Sequence, residues 1–274
     1  MSKWFFSFII GDEEGDNMFT NDPNYLDQHF LIDNDIIKKY LSYPKFSKDD
    51  TVLEIGPGKG TLTKLIAPKV KKLYAIELDT RLKPFLELIP NLEIIWGSVL
   101  DVEIPKVDKI ITSLPYSIIE PFIYKMINTD FQELYMLMGS HYILNVINQE
   151  ITKLSVITNS FFKTDILLEV PPSSFDIPPR TDSFIVKMVK INKPLSKKYQ
   201  IYQELYFLDE KKLRNSLMEA FIKLDNLTKR TSKELVASLK LPSNILETTF
   251  KTLSNEDLKI LDEALENQLN HKNS

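Results

Sequence analysis

Between residues 51 and 191, short apolar runs alternate with stretches of helical spacing. Residues 51–55 (Thr-Val-Leu-Glu-Ile) read as a strand, followed by a glycine-rich turn and a helix through Leu62, Leu65 and Ile66. Residues 73–77 form the next strand candidate and 81–88 a helix. Residues 92–96 and 107–112 are further strands, 118–127 a helix and 134–138 a strand. These strands are apolar along most of their length, as expected when both sheet faces are covered. The rhythm therefore predicts a parallel sheet with helices on either side. Residues 165–170 and 184–189 follow with no long helix between them, and are expected to pair antiparallel at the end of the sheet.

After Ile191 the strand signals stop and helical periodicity takes over, over residues 202–207, 213–224, 232–239, 245–253 and 258–269. Asp209, Thr231 and Ser254 stand at expected N-caps, and Ser254-Asn-Glu-Asp257 fits a capping box. The expected organisation is an N-terminal extension (1–26), an α/β domain (27–191) and a small all-helical domain (192–274), with no internal repeat.

Composition narrows the chemistry. The 274 residues include no cysteine, which excludes a disulfide scaffold, a thiolate metal site and a cysteine nucleophile. The three histidines, His29, His141 and His271, are far apart and show no ligand spacing, so no metal is expected. No apolar run approaches the ~20 residues of a bilayer span, so a cytoplasmic protein with no membrane partner is expected. The net charge of −4 argues against indiscriminate coating of nucleic acid. Charge is nevertheless uneven: the region from Lys190 onward is net positive and the remainder net negative. Lys187, Lys190, Lys193, Lys197 and Lys198 cluster at that boundary, either as a solvated linker or as a phosphate contact.

Two strand-end motifs carry the candidate chemistry. Leu53-Glu-Ile-Gly-Pro-Gly-Lys-Gly60 lies between a strand and a helix. Glycines 56, 58 and 60 permit a sharp turn and close approach of backbone to a ligand. The G-x-G-x-G spacing differs from the pyrophosphate-binding G-x-G-x-x-G and resembles the loop of class I methyltransferases, which bind S-adenosylmethionine. Glu77 closes the second strand, where doubly wound folds place an acid on ribose hydroxyls. Ser113-Leu-Pro-Tyr116 follows the strand ending near residue 112, at the edge where open α/β sheets keep their chemistry. It resembles the [Asn/Asp]-x-Pro-[aromatic] motif of enzymes that methylate exocyclic amines.

Together these motifs resemble the ribosomal RNA adenine dimethyltransferase family, which includes the small-subunit dimethyladenosine transferases. Gln28-His-Phe-Leu-Ile-Asp33 is similar to its entry segment, and residues 51–63 to its cofactor loop. Val170-Pro-Pro-Ser-Ser-Phe175, with Ile177-Pro-Pro-Arg-Thr-Asp-Ser183, is similar to its late proline-rich loop. The resemblance implies a Rossmann-like class I methyltransferase sheet with a small C-terminal helical domain. It implies S-adenosylmethionine as cofactor and small-subunit ribosomal RNA, or the pre-ribosomal small subunit, as partner of a monomer. Gln28, His29, Leu31, Gly56, Gly58, Glu77, Ser98 and Ser113 would then contact the cofactor. Ser113 and the Leu114 carbonyl would accept from the adenine amine, Pro115 would fix their turn, and Tyr116 and Phe175 would sandwich the base.

Two positions depart from the family. Ser113 replaces its asparagine; the shorter side chain would hold the amine differently by something like 1 Å, and such misplacement costs about 10²-fold in rate. Ser98, after Gly97, replaces its aspartate, so a neutral hydroxyl stands where a charged acceptor is usual. The implied function is N6-dimethylation of adenines in small-subunit ribosomal RNA. The alternative is a weakened or inactive relative that binds RNA as a ribosome-assembly or transcription factor.

Overall fold

The computed structural model of the protein describes residues 29–192 and 196–271. The expected N-terminal extension, Gln28, Lys193 and the side chains of Tyr116 and His271 lie outside the described residues. Strands β1 (Thr51–Ile55), β2 (Lys72–Glu77), β3 (Leu92–Trp96), β4 (Lys109–Ser113), β5 (Glu133–Gly139), β6 (Phe162–Val170) and β7 (Ser183–Lys190) form one sheet. Its order is β3-β2-β1-β4-β5-β7-β6. The first five strands run parallel, and β7 runs antiparallel to both β5 and β6. The expected late antiparallel pair is therefore present. Because β7 is reversed, the loop before it emerges at the same edge as the carboxyl ends of β1 to β5.

The helices are α1 (Asn34–Tyr40), α2 (Thr63–Ile66), α3 (Lys83–Leu86), α4 (Ile119–Ile127), α5 (Ser140–Ile147), α6 (Lys153–Phe161), α7 (Lys197–Phe207), α8 (Leu213–Asp225), α9 (Lys229–Ser238), α10 (Ser243–Glu247) and α11 (Asn255–His271). On one sheet face Val52, Leu73, Ile111 and Leu137 pack with Ile37, Tyr40, Ile66 and Leu86. On the other, Leu53, Ile110, Met136 and Met188 pack with Phe122, Ile123 and Met126 of α4. That core continues without a break into Ile201, Leu205, Leu217, Phe221 and Leu261 of the tail. Helix α7 packs on α6, so the helical tail extends the second layer.

Local chemistry explains the departures from the expected elements. Helix α6 was not anticipated because Ser155, Thr158 and Ser160 look polar yet are buried. Their hydroxyls donate to the carbonyls of Asn145, Leu154 and Val156 at 2.9, 2.7 and 2.7 Å. Helix α9 is capped by Thr228, whose side chain accepts from Thr231 N, so Thr231 lies inside the helix. Asp209 is not a cap, since α8 begins after Lys212. Ser254 does cap α11: Asp257 N donates to Ser254 Oγ at 3.1 Å, and that hydroxyl donates to Asp257 Oδ2 at 2.8 Å, in place of the backbone half of the expected box.

The boundary lysines face inward partners. Lys187 pairs with Glu133, and Lys190 donates to the carbonyls of Ile127 and Thr129. Lys197 meets Asp225 and the Leu224 carbonyl, and Lys198 meets Asp262 and Glu266. Of the four described members, two are thus held within the α/β part and two within the helical tail, each by protein groups rather than as a solvated linker.

Candidate active site

Glycines 56, 58 and 60 hold φ values of +72°, +57° and +81°, the left-handed region that side-chain-bearing residues avoid. A Cβ on Gly58 would stand 2.6 Å from Cε1 of Phe30. The entry segment thus lies directly on the loop, and only hydrogen fits between them. A Cβ on Gly56 would stand 3.5 Å from the carbonyl oxygen of Ser113, so the glycine loop and the end of β4 are in van der Waals reach. The parallel register explains this: Ile55 pairs with both Ile76 and Thr112, bringing the residues after β1, β2 and β4 to one edge.

Glu77 is buried at that edge. Its Oε2 accepts from Gly58 N at 3.1 Å and its Oε1 from Asp79 N at 2.9 Å, bracing the loop. Burial raises its pKa, with the backbone N–H groups of Asp79 and Gly58 opposing the shift. Leu78, the next residue, is 52% exposed, an apolar surface at the mouth that motif spacing did not single out. Ser98 caps the turn after β3: its Oγ accepts from Leu100 N at 3.2 Å. Asp101 is exposed one turn further on.

On β1, just before the loop, lies Glu54, 2% exposed, with no ion pair among the described residues. Desolvation pushes its pKa up to about 8; the Thr63 hydroxyl acts in the opposite direction and the charge of Glu77 adds to the rise. Neither Glu54 Oε2 nor Thr63 Oγ1 has a well-formed hydrogen bond among the described residues. Such a pair of buried polar atoms is ordinarily satisfied by water.

The proline-rich loop is stapled to the entry segment. Leu31 and Phe175 form an antiparallel bridge. Ile32 N donates to Ser174 O at 2.9 Å, Asp176 N to Phe30 O at 3.0 Å, and Phe30 N to Asp176 Oδ1 at 2.9 Å. His29 Nδ1 lies 2.7 Å from the Ile177 carbonyl, which only accepts, so this nitrogen carries the proton. The His29 ring meets Phe175 edge-on at 6.4 Å, and Phe175 is 3% exposed. Phe175 is therefore packed between Leu31 and His29, where the sequence suggested an open stacking face. Leu114 is buried in the core, Pro115 is half-buried, and Tyr116 begins the short turn leading into α4. Ser113, Leu114, Pro115, Gly56, Gly58, Glu77, Ser98, His29, Leu31 and Phe175 thus all fall on loops or strand ends at one edge of the sheet. Phe30 and Ser174, inside the entry segment and the proline-rich loop, join them, as does Asp176 between the two halves of that loop.

The glycine loop is thus a stretch of bare backbone braced by an acid at the end of β2. The profile described as "Ribosomal RNA adenine dimethylase" matches residues 20–247. The chain belongs to this family. Among its relatives, the probable ribosomal RNA small subunit methyltransferase A of Methanosarcina barkeri is 32% identical over 247 residues, covering 85% of this chain and 84% of the relative. That of Methanococcoides burtonii is 34% identical over 233 residues, covering 78% and 83%. Among solved structures, a dimethyladenosine transferase from Plasmodium falciparum aligns with TM-score 0.59 at 22% identity, over 88% of this chain and 98% of that one. The 23S ribosomal RNA methyltransferase ErmE aligns with TM-score 0.56 at 20% identity, over 86% and 99%. These two show that the dimethylase shares their fold, including the sheet and the C-terminal helices.

Proposed function

We propose that this ribosomal RNA adenine dimethylase transfers methyl groups from S-adenosylmethionine to N6 of adenines in small-subunit ribosomal RNA, acting as a monomer in the cytoplasm. The observation that carries the reading is the contact between the glycine loop and the strand-end motif, with the Ser113 carbonyl 3.5 Å from where a Cβ of Gly56 would stand. A donor in the loop and an amine at the motif then lie side by side.

The cofactor, when bound, supplies an electrophilic methyl group on its sulfonium. The bare peptide at Gly56 and Gly58 lets it approach, with His29 and Leu31 closing the near wall. Glu77, whose carboxylate accepts from backbone N–H groups that brace the loop, retains acceptor capacity for ribose hydroxyls. The Ser98 hydroxyl and the exposed Leu78 face the far end. At the reacting end, Ser113 Oγ and the Leu114 carbonyl accept the amine's N–H bonds and turn its lone pair toward the methyl group. Pro115 restrains the turn that carries them. Tyr116 and Phe175 bracket an adenine extruded from its stack; reaching Phe175 requires the His29 ring to swing off its edge. Positioning supplies the acceleration, without a strongly basic group.

The direct test is incubation of the protein with methyl-labelled cofactor and undermethylated small subunits. Label on adenine N6 supports the reading. Binding of small subunits without any transfer overturns it and favours an assembly factor, which the serines at 113 and 98 would then explain.

A further inference from the structure

Tyr40 is fully buried at the end of α1. Its hydroxyl lies 2.9 Å from the carbonyl oxygen of Thr112 and 3.0 Å from that of Tyr135, on the neighbouring strands β4 and β5. The Thr112 carbonyl shares its peptide plane with the nitrogen of Ser113. A donor on that oxygen therefore fixes the plane from which the reacting motif starts. Helix α1 is itself set by the active-site wall: Asp33 caps it, accepting from Asp35 N and Ile36 N, and Leu31 bridges to Phe175 just before it. One short segment thus touches the adenine wall at one end and the root of the Ser113 motif at the other.

We propose that Tyr40 is a positioning residue for methyl transfer, holding the Thr112–Ser113 peptide at the height needed for the second methylation as well as the first. This rests on the function proposed above. An unmethylated amine offers two N–H bonds to Ser113 and Leu114, whereas a monomethylated amine offers one. The second step has less to orient it and depends more on the placement of those acceptors. Burial holds the phenol's pKa above its usual value, so it remains a donor through the working pH range. Tyr43, one turn on, provides a built-in control: its hydroxyl donates to Leu167 O on β6 at 3.0 Å, away from the motif.

The experiment compares Tyr40→Phe, Tyr43→Phe and the unaltered protein on undermethylated small subunits, measuring the ratio of dimethyl- to monomethyladenine and cofactor affinity by calorimetry. Tyr40→Phe is expected to lower the ratio about tenfold, within the loss that sub-ångström misplacement produces, with cofactor affinity changed less than twofold. Tyr43→Phe should leave the ratio unchanged. If phenylalanine at position 40 prevents folding, 4-fluorophenylalanine there, which fills the hydroxyl's space but cannot donate, decides alone: a lowered ratio supports positioning and an unchanged one overturns it. Equal shifts in both phenylalanine variants, or none in Tyr40→Phe, also overturn the proposal. Absence of transfer by the unaltered protein overturns the function and this inference together, whereas transfer with an unmoved ratio overturns this inference alone.

Discussion

Glu54 should make the protein less stable as pH rises, and replacing it should remove that dependence. Its folded pKa is about 8, raised from 4.5 by burial, with Tyr40 and Glu77 the ionisable groups facing it. A carboxyl raised on folding contributes fully below its unfolded pKa, and that contribution drains away as pH climbs toward the folded value. At pH 7 the unfolded chain ionises this group while the folded chain keeps it protonated. At about 1.4 kcal/mol per pH unit, this costs the folded state roughly 3 kcal/mol at pH 7, and less than about 1 kcal/mol at pH 5. Glu54→Gln keeps the shape and a neutral polar group, so it should be more stable than the unaltered protein by about 3 kcal/mol at pH 7, with the gap shrinking toward pH 5. Urea unfolding followed by circular dichroism at pH 5, 6, 7 and 8, without cofactor, measures this directly, and an unchanged slope would keep the comparison two-state. A gap that is flat with pH, or a variant less stable at pH 7, would mean that Glu54 is ionised in the fold and the reasoning from desolvation is wrong.

Gly58→Ala should weaken cofactor binding at least tenfold by calorimetry and lower stability by about 1 kcal/mol or more, because its φ of +57° strains alanine and the new Cβ displaces Phe30; an affinity within twofold would show that the loop is not the cradle. Ser113→Asn should raise the rate of methyl transfer, measured in single-turnover assays, by extending the acceptor toward the amine; a fall would show a site rebuilt around serine. Lys198→Met should cost about 3 kcal/mol in urea unfolding, since it leaves Asp262, at 6% side-chain exposure, without its cation and with the Tyr202 hydroxyl as its remaining side-chain donor. The same variant should bind small subunits with an unchanged salt slope, and a shallower slope would return this lysine to the RNA face.

The parts of the site built from contiguous residues were legible in the sequence. The glycine loop, Glu77 and the Ser113 motif each end a strand, and parallel pairing alone brings such ends together. The reversed β7 was legible too, since no helix separates it from β6. What escaped was set by long-range packing. Nothing local in Phe30 or Asp176 announces that they meet across the entry segment and the proline-rich loop, and Phe175 reads as a stacking ring until Leu31 and His29 are seen against it. The lysines from 187 to 198 look like a charged surface run because sequence does not reveal the carbonyls and carboxylates awaiting them on α8, α11 and the turn after α4. Helix α6 was hidden by hydroxyls that turn inward to the backbone of α6 and α5.

The union of the entry segment with the proline-rich loop has a bearing on when the protein becomes competent. His29 and Ile177 are joined across 148 positions, so a growing chain can shape its glycine turn early but cannot join these two segments until residue 177 has cleared the exit tunnel. A chain truncated before residue 177 is therefore expected to keep the glycine turn and to lack this union.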